Sequence, residues 1–123
     1  MTEKGEIKLK QNMKRKDKGE QRHDNLISEL EEFLVGGYDE IKTFFEYCRN
    51  GEVGEVDLLG MVDRLYHKGF HFYEVKCSNG SKQVKKAQSQ YDRFKLAYPE
   101  KQEIMRGFLY TPNKLIRLND GNL

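Results

Sequence analysis

The stretch from Gly51 to Ser78 constrains the fold of this chain more than any other. It contains two short runs with strand character: the first carries Asp57 near its start, and the second ends in Tyr-Glu-Val-Lys at residues 73–76. Side chains alternate between the two faces of a strand, so Glu74 and Lys76 are expected on one face. The spacing predicts that the two runs pair as an antiparallel hairpin.

The register of this hairpin decides which side chains meet. A turn centred between residues 66 and 67 would set Asp57 across from Lys76 and Leu59 across from Glu74. This register brings two carboxylates and an ammonium group together, whereas a slip of one residue would scatter them. Clustered carboxylates at a sheet edge are costly unless a cation neutralises them, and oxygen ligands favour a hard divalent ion, here Mg²⁺.

A divalent cation at this position indicates a particular chemistry. The ion polarises a phosphoryl oxygen and lowers the pKa of a bound water. An adjacent lysine orients that water or offsets charge that develops in the transition state. These residues therefore predict the hydrolysis of phosphodiester bonds.

An acid on a strand, a short hairpin and a Glu-x-Lys motif resemble the PD-(D/E)XK nuclease superfamily, which includes restriction endonucleases and archaeal Holliday-junction resolvases. Asp57 matches the first acid, and the Glu-Val-Lys sequence at residues 74–76 matches the (D/E)XK element. Gln90 matches a glutamine that many members carry on the following helix. Val56 stands where the family name has proline. The resemblance spans residues 52–98.

The resemblance implies a restriction-endonuclease-like core and a nuclease that uses Mg²⁺, with Mn²⁺ as a substitute. It implies that Asp57 and Glu74 bind the ion together with the carbonyl oxygen of Val75. It also implies that Lys76 helps to activate water and that Gln90 assists, by holding the attacking water or a phosphate oxygen. A polar residue on the helix flank is the alternative interpretation of that glutamine.

In the family that this chain resembles, an acid in the first helix often completes the metal site. Asp24, in the opening turn of the predicted first helix, is the match, with Glu20 and Glu29 as rivals. The alternative is that each of these is a surface or capping carboxylate. The three histidines His23, His67 and His71 are interpreted as turn and surface residues.

Basic residues are concentrated in two parts of the chain, although the net charge is only +2. Residues 1–19 form a basic N-terminal arm, and one face of the helix predicted over residues 82–98 is also basic. The residues predicted to contact phosphates are Lys14, Arg15, Lys16, Lys82, Lys85 and Lys86. A solvated, partly disordered arm and an edge strand over residues 6–10 are the alternatives for the N-terminus.

The rest of the chain predicts one mixed α/β domain over residues 20–123, with a small sheet of about four strands flanked by helices. The predicted helices are residues 23–35, 38–49 and 82–98, and the further strand candidates are residues 104–110 and 115–118. No apolar run is long enough to span a bilayer and no signal peptide is present, so a soluble, cytoplasmic protein without a membrane partner is expected. Two cysteines are too few for a disulfide framework.

The sequence predicts that the substrate is DNA, recognised by its structure or its ends, because the chain is too short for a separate recognition domain. A homodimer would be natural if two strands are cut. RNA remains open as a substrate. The alternatives are a non-catalytic nucleic-acid-binding or protein-interaction module on the same fold, and a small α/β domain with a surface ion network.

Overall fold

The computed structural model describes residues 18–112 and 114–121. The elements follow the chain in the order α1 (Lys18–Leu34), β1 (Glu40–Arg49), β2 (Glu52–Arg64), β3 (His67–Val75), α2 (Ser81–Ala97), a 3-10 helix (Pro99–Ile104), β4 (Met105–Thr111) and β5 (Lys114–Arg117). The predicted phosphate contacts Lys14, Arg15 and Lys16 and the alternative strand at residues 6–10 lie outside the described residues. None of the described helices is long and apolar enough to cross a membrane.

The five strands form one sheet in the order β1-β2-β3-β4-β5. Three neighbouring pairs are antiparallel, and β3 pairs with β4 in parallel. A parallel pair needs a crossover connection, which α2 provides. The predicted mixed α/β fold is confirmed, with five strands instead of about four.

The two helices cover opposite faces of the sheet. The successive residues Phe72 and Tyr73 of β3 belong to separate apolar clusters, as expected for side chains that alternate between faces. The larger cluster lies under α2 and is rich in aromatic rings. The smaller cluster joins Leu26, Ile27 and Leu30 of α1 to the other face.

The predicted helix over residues 38–49 is wrong, because this segment forms the edge strand β1. Its side chains alternate between half-buried and exposed from Ile41 to Glu46, and Tyr47 is buried. Aromatic and β-branched residues, which are frequent here, favour strands. The helical interpretation assigned Phe44 and Cys48 to a buried stripe, and both are exposed.

The β2–β3 hairpin forms, but its register differs from the prediction. Arg64 pairs with His67, so the connection is a tight turn of two residues centred between residues 65 and 66. Moving the turn by one residue shifts every cross-strand partner by two. Asp57 therefore lies level with Glu74 instead of Lys76. An even shift keeps each side chain on its face, so the acids still converge.

Candidate functional site

The candidate site lies where β2 and β3 stop pairing. Their ladder ends at Leu58 and Tyr73, and the next residue on each strand is an acid, Asp57 or Glu74. Both side chains are buried, with exposed fractions of 6% and 3%. The backbone N–H of Val75 donates to Asp57 Oδ2 at 2.8 Å. The Asp57 carboxylate thus accepts a hydrogen bond from a backbone N–H that has no ladder partner on β2.

Asp57 lies opposite an irregularity in the neighbouring strand β1. The β1–β2 ladder skips one pair, Phe44 with Asp57. Phe44 has a φ of 51°, in the left-handed region that side chains other than glycine rarely adopt. Val56 packs under α2 and Leu58 packs under α1, although residues two apart on a regular strand share a face. The strand therefore turns over at Asp57.

His23 reaches the same place from α1. Its Nε2 lies 2.8 Å from the carbonyl oxygen of Val75 and 3.2 Å from Asp57 Oδ2. Both oxygens are acceptors, so Nε2 carries a hydrogen and donates it. The hydrogen bond to Asp57 is the main cause that raises the pKa of His23, and partial burial opposes it. The N–H of His23 thus donates to two of the oxygens that are predicted to bind the cation.

The interpretation of His23 as a surface residue is therefore wrong. His23 lies one turn before Ile27, which belongs to the buried stripe of α1. Extending that stripe towards the N-terminus would have pointed to this residue. The sequence does not show that α1 packs over the end of β3, and this packing determines which residue His23 contacts.

The three candidate acids of α1 differ in where they lie relative to His23. Asp24 is next to His23, with its Oδ1 3.9 Å from Nδ1 of that ring. Glu20 lies one turn earlier on the side of α1 that carries His23. Glu29 is exposed and lines a separate pocket with Glu32, Phe33 and Tyr110. The structure places Asp24 beside His23 and does not bring Glu29 to the site.

Glu74 is the most perturbed group of the site. Burial and the charge of Asp57 raise the pKa of Glu74 to about 8, and the Lys76 ammonium works in the opposite direction. Lys76 Nζ lies 3.4 Å from Glu74 Oε2. The other oxygen, Oε1, is buried without a hydrogen-bond partner. A buried carboxylate with an unpaired oxygen beside a second carboxylate is costly, and a bound cation would relieve that cost.

The donor set at this end of the sheet fits a hard divalent cation. It consists of the carboxylates of Asp57 and Glu74 and the carbonyl oxygen of Val75, all oxygen ligands. Within residues 18–112 and 114–121, no three side chains from His, Cys, Asp and Glu form a group that could hold a metal ion. The set therefore needs the backbone carbonyl and the waters that Mg²⁺ retains.

A pocket of about 440 Å³ opens beside Lys76 along the N-terminal half of α2. Its lining residues are Lys76, Lys82, Lys85, Lys86, Ser89 and Gln90. The side-chain oxygen Oε1 of Gln90 is buried and has no hydrogen-bond partner. The structure thus brings together the predicted catalytic lysine, the predicted glutamine and the three predicted phosphate contacts of α2.

His71 is also more than a surface residue. Tyr38 Oη lies 2.7 Å from His71 Nδ1 and 2.5 Å from Tyr73 Oη. Burial lowers the pKa of His71 and so favours its neutral ring, and Tyr38 Oη joins this ring and the Tyr73 hydroxyl in one hydrogen-bonded chain. His67, next to the hairpin turn, is exposed as predicted.

No protein-family model matches this chain, and no curated protein matches it. The chain is similar to a solved structure described as "Crystal structure of SSO0001", with a TM-score of 0.53 and 16% sequence identity. The match covers 96% of this chain and 58% of that chain, so this chain spans little more than half of that protein. At this identity the likeness concerns the fold alone.

Proposed function

We propose that this chain is a Mg²⁺-dependent nuclease of the PD-(D/E)XK type that hydrolyses phosphodiester bonds of DNA. The supporting observation is the pair of buried carboxylates, Asp57 and Glu74, at the end of the β2–β3 ladder. Lys76 follows Glu74 by two residues and lies within ion-pair distance of it. This is the order of acid, hairpin and Glu-x-Lys in the family that the sequence resembles.

Asp57, Glu74 and the carbonyl oxygen of Val75 would hold the cation, and Asp24 lies beside His23 on α1. When bound, Mg²⁺ or Mn²⁺ supplies Lewis acidity towards the phosphoryl oxygen and a water of lowered pKa. His23 shares two of these oxygens. While its Nε2 carries a proton, His23 donates to them and competes with the cation for these ligands.

The other residues act on water and substrate. The Lys76 ammonium lies between Glu74 and the lysine-lined pocket, where it orients the attacking water or offsets charge on the phosphoryl group. The unpaired Oε1 of Gln90 accepts a hydrogen bond from that water. Lys82, Lys85 and Lys86 contact phosphates, which position a strand without reading its sequence.

The proposed mode of substrate recognition is by DNA structure or by strand ends, because the described residues contain one sheet and two long helices. A homodimer would supply a second site if both strands are cut.

The test is cleavage of labelled duplex, single-stranded and branched DNA, with RNA of the same sequence in parallel, in Mg²⁺, Mn²⁺ or EDTA. We expect Asp57→Asn and Lys76→Met to lower the metal-dependent rate by about 10²-fold or more. Asp63→Asn, which removes an exposed carboxylate far along β2, is the matched control and should retain the rate. Absence of metal-dependent cleavage, or a rate unaffected by Asp57→Asn, would overturn the proposal.

One observation favours a second candidate, a nucleic-acid-binding module without catalysis. His23 Nε2 already satisfies Val75 O and Asp57 Oδ2, so two of the proposed metal ligands have a partner in the protein itself. Salt-sensitive DNA binding, without cleavage in either metal and unchanged by Asp57→Asn, would support the module. Binding of Mn²⁺ to the wild-type protein that Asp57→Asn abolishes would argue against it.

A further inference from the structure

The N-terminal half of α2 carries an unusual concentration of positive charge. Lys82, Lys85 and Lys86 follow the i, i+3, i+4 spacing, which sets them side by side on one face of the helix. The first turn contains no acidic residue. None of the three lysines forms an ion pair with another described residue. No close carboxylate among the described residues therefore neutralises them.

This placement works against the stability of the helix. Like charges at i, i+4 cost roughly 0.2–0.5 kcal/mol for each pair. A helix N-terminus also carries a partial positive charge from its unpaired N–H groups, which disfavours lysine and favours anions. Three unpaired lysines at this end are therefore unfavourable for folding alone, and a bound anion would turn the same groups into a favourable site.

The three lysines line one open pocket on the surface. Lys76, from the end of β3, adds a fourth ammonium group to the pocket of about 440 Å³. A phosphodiester within a strand carries one negative charge, whereas a phosphomonoester carries about −1.5 to −2 at neutral pH. Four ammonium groups around one cavity suit the doubly charged group better.

We propose that this pocket binds the terminal phosphate of a nucleic-acid strand and so selects strand ends. The inference rests on the proposed function for the nature of the polymer, whereas the anion site follows from the lysines themselves. Gln90 also lines the pocket, so the terminal phosphate would lie beside the buried, unpaired Oε1 that is proposed above to hold the attacking water. A 5′ and a 3′ phosphate share the chemistry that the pocket recognises.

The experiment measures the dissociation constant by fluorescence anisotropy in EDTA, so that binding is scored whether or not the protein cuts. Internally labelled oligonucleotides of one sequence carry a 5′ phosphate, a 3′ phosphate or two hydroxyl ends. We expect one phosphorylated end to bind about 10-fold more tightly than the hydroxyl ends, through charge-assisted hydrogen bonds. Equal affinity for all three oligonucleotides would overturn the inference.

A matched pair of variants assigns the preference to the pocket. Lys82→Ala/Lys85→Ala should reduce the ratio of the dissociation constant of the hydroxyl-ended oligonucleotide to that of the preferred phosphorylated one to about 1. This ratio cancels non-specific attraction to the strand. The control Lys42→Ala/Lys114→Ala removes the same charge from exposed positions on β1 and β5 and should preserve the ratio. A preference that survives in Lys82→Ala/Lys85→Ala would also overturn the inference.

The failure of this inference differs from the failure of the proposed function. Metal-dependent cleavage without a preference for phosphorylated ends leaves the nuclease and removes the terminal-phosphate pocket. A preference that depends on Lys82 and Lys85, in a protein that cuts nothing in Mg²⁺ or Mn²⁺, leaves the pocket and removes the nuclease.

Discussion

The middle of β3 and its C-terminal end contribute to stability in opposite directions. In the middle, Phe70 and Phe72 lie under α2 with Phe94, and the ring centroids are 5.3–5.6 Å apart. At the end, Glu74 is equally buried but has an oxygen without a partner and a second carboxylate beside it. One strand thus contains a region that stabilises the fold and a region that costs stability. Such a cost is expected where binding or catalysis is selected.

The largest effect that we expect comes from the middle of the strand. Phe94→Ala should lower the free energy of unfolding by about 3–5 kcal/mol, because it empties the centre of the aromatic cluster. The measurement is urea denaturation followed by circular dichroism. Leu96→Ala, two residues along α2 and 56% exposed, is the control and should change little. A loss below about 1 kcal/mol in Phe94→Ala would mean that the ring cluster is not the main stabilising region.

The next effect has the opposite sign and comes from the end of the strand. The pKa of Glu74 is about 8 in the fold, above its ordinary value of 4.5. The folded state therefore retains a proton that the unfolded state loses, and stability falls as pH rises between these values. Glu74→Gln should be more stable than wild type by about 2–4 kcal/mol at pH 9, and equal to it near pH 4. Its metal-dependent activity should be lost.

The measurement for Glu74→Gln is urea denaturation at pH 4, 7 and 9. Part of the fall with pH should remain in the variant and belongs to His23, whose raised pKa stabilises the fold below its ordinary value and ceases to do so at higher pH. Glu55→Gln, at an exposed position on β2, is the control for the loss of one carboxylate. A variant less stable than wild type at pH 9 would contradict the assignment of this cost to Glu74.

The smallest effect that we expect on stability comes from Phe44 of β1, which lies opposite Asp57. At Phe44 the left-handed backbone suits glycine and is most costly for a β-branched residue. Phe44→Val should therefore be less stable than Phe44→Gly by about 1–2 kcal/mol. If this conformation aims Asp57, the valine variant should also bind Mn²⁺ more weakly than the glycine variant. Equal Mn²⁺ affinity in the two variants would separate Phe44 from the site. Thr43→Val, at the preceding residue, controls for the new side chain.

The sequence predicted the parts of the site that one hairpin determines. Asp57, Glu74 and Lys76 are close in the chain, so alternation along two strands was enough to bring them together even with a register that was two residues off. The lysines of α2 followed from helical periodicity, and Gln90 followed from the resemblance to the nuclease superfamily. The edge strand β1 was missed because Ile41, Phe44, Phe45 and Cys48 also fit a helical stripe, and short apolar segments fit both periods.

What the sequence could not predict depends on tertiary contacts. His23 reaches Asp57 only because α1 packs across the end of β3, and no local pattern encodes that docking. The left-handed conformation of Phe44 has no signature in its residue type, which normally avoids it. The half-buried network of Tyr38, His71 and Tyr73 likewise joins the segment before β1 to β3, and only the fold decides that contact.

Lys76 is shared by the carboxylate end of β3 and the lysine-lined pocket. An anion that attracts its ammonium group would leave Glu74 with less compensating charge, and so with a stronger demand for a cation. Occupation of either place should then favour occupation of the other by the same factor, since thermodynamic linkage is reciprocal. A protein built in this way would take up its metal most readily when a strand end is already in place.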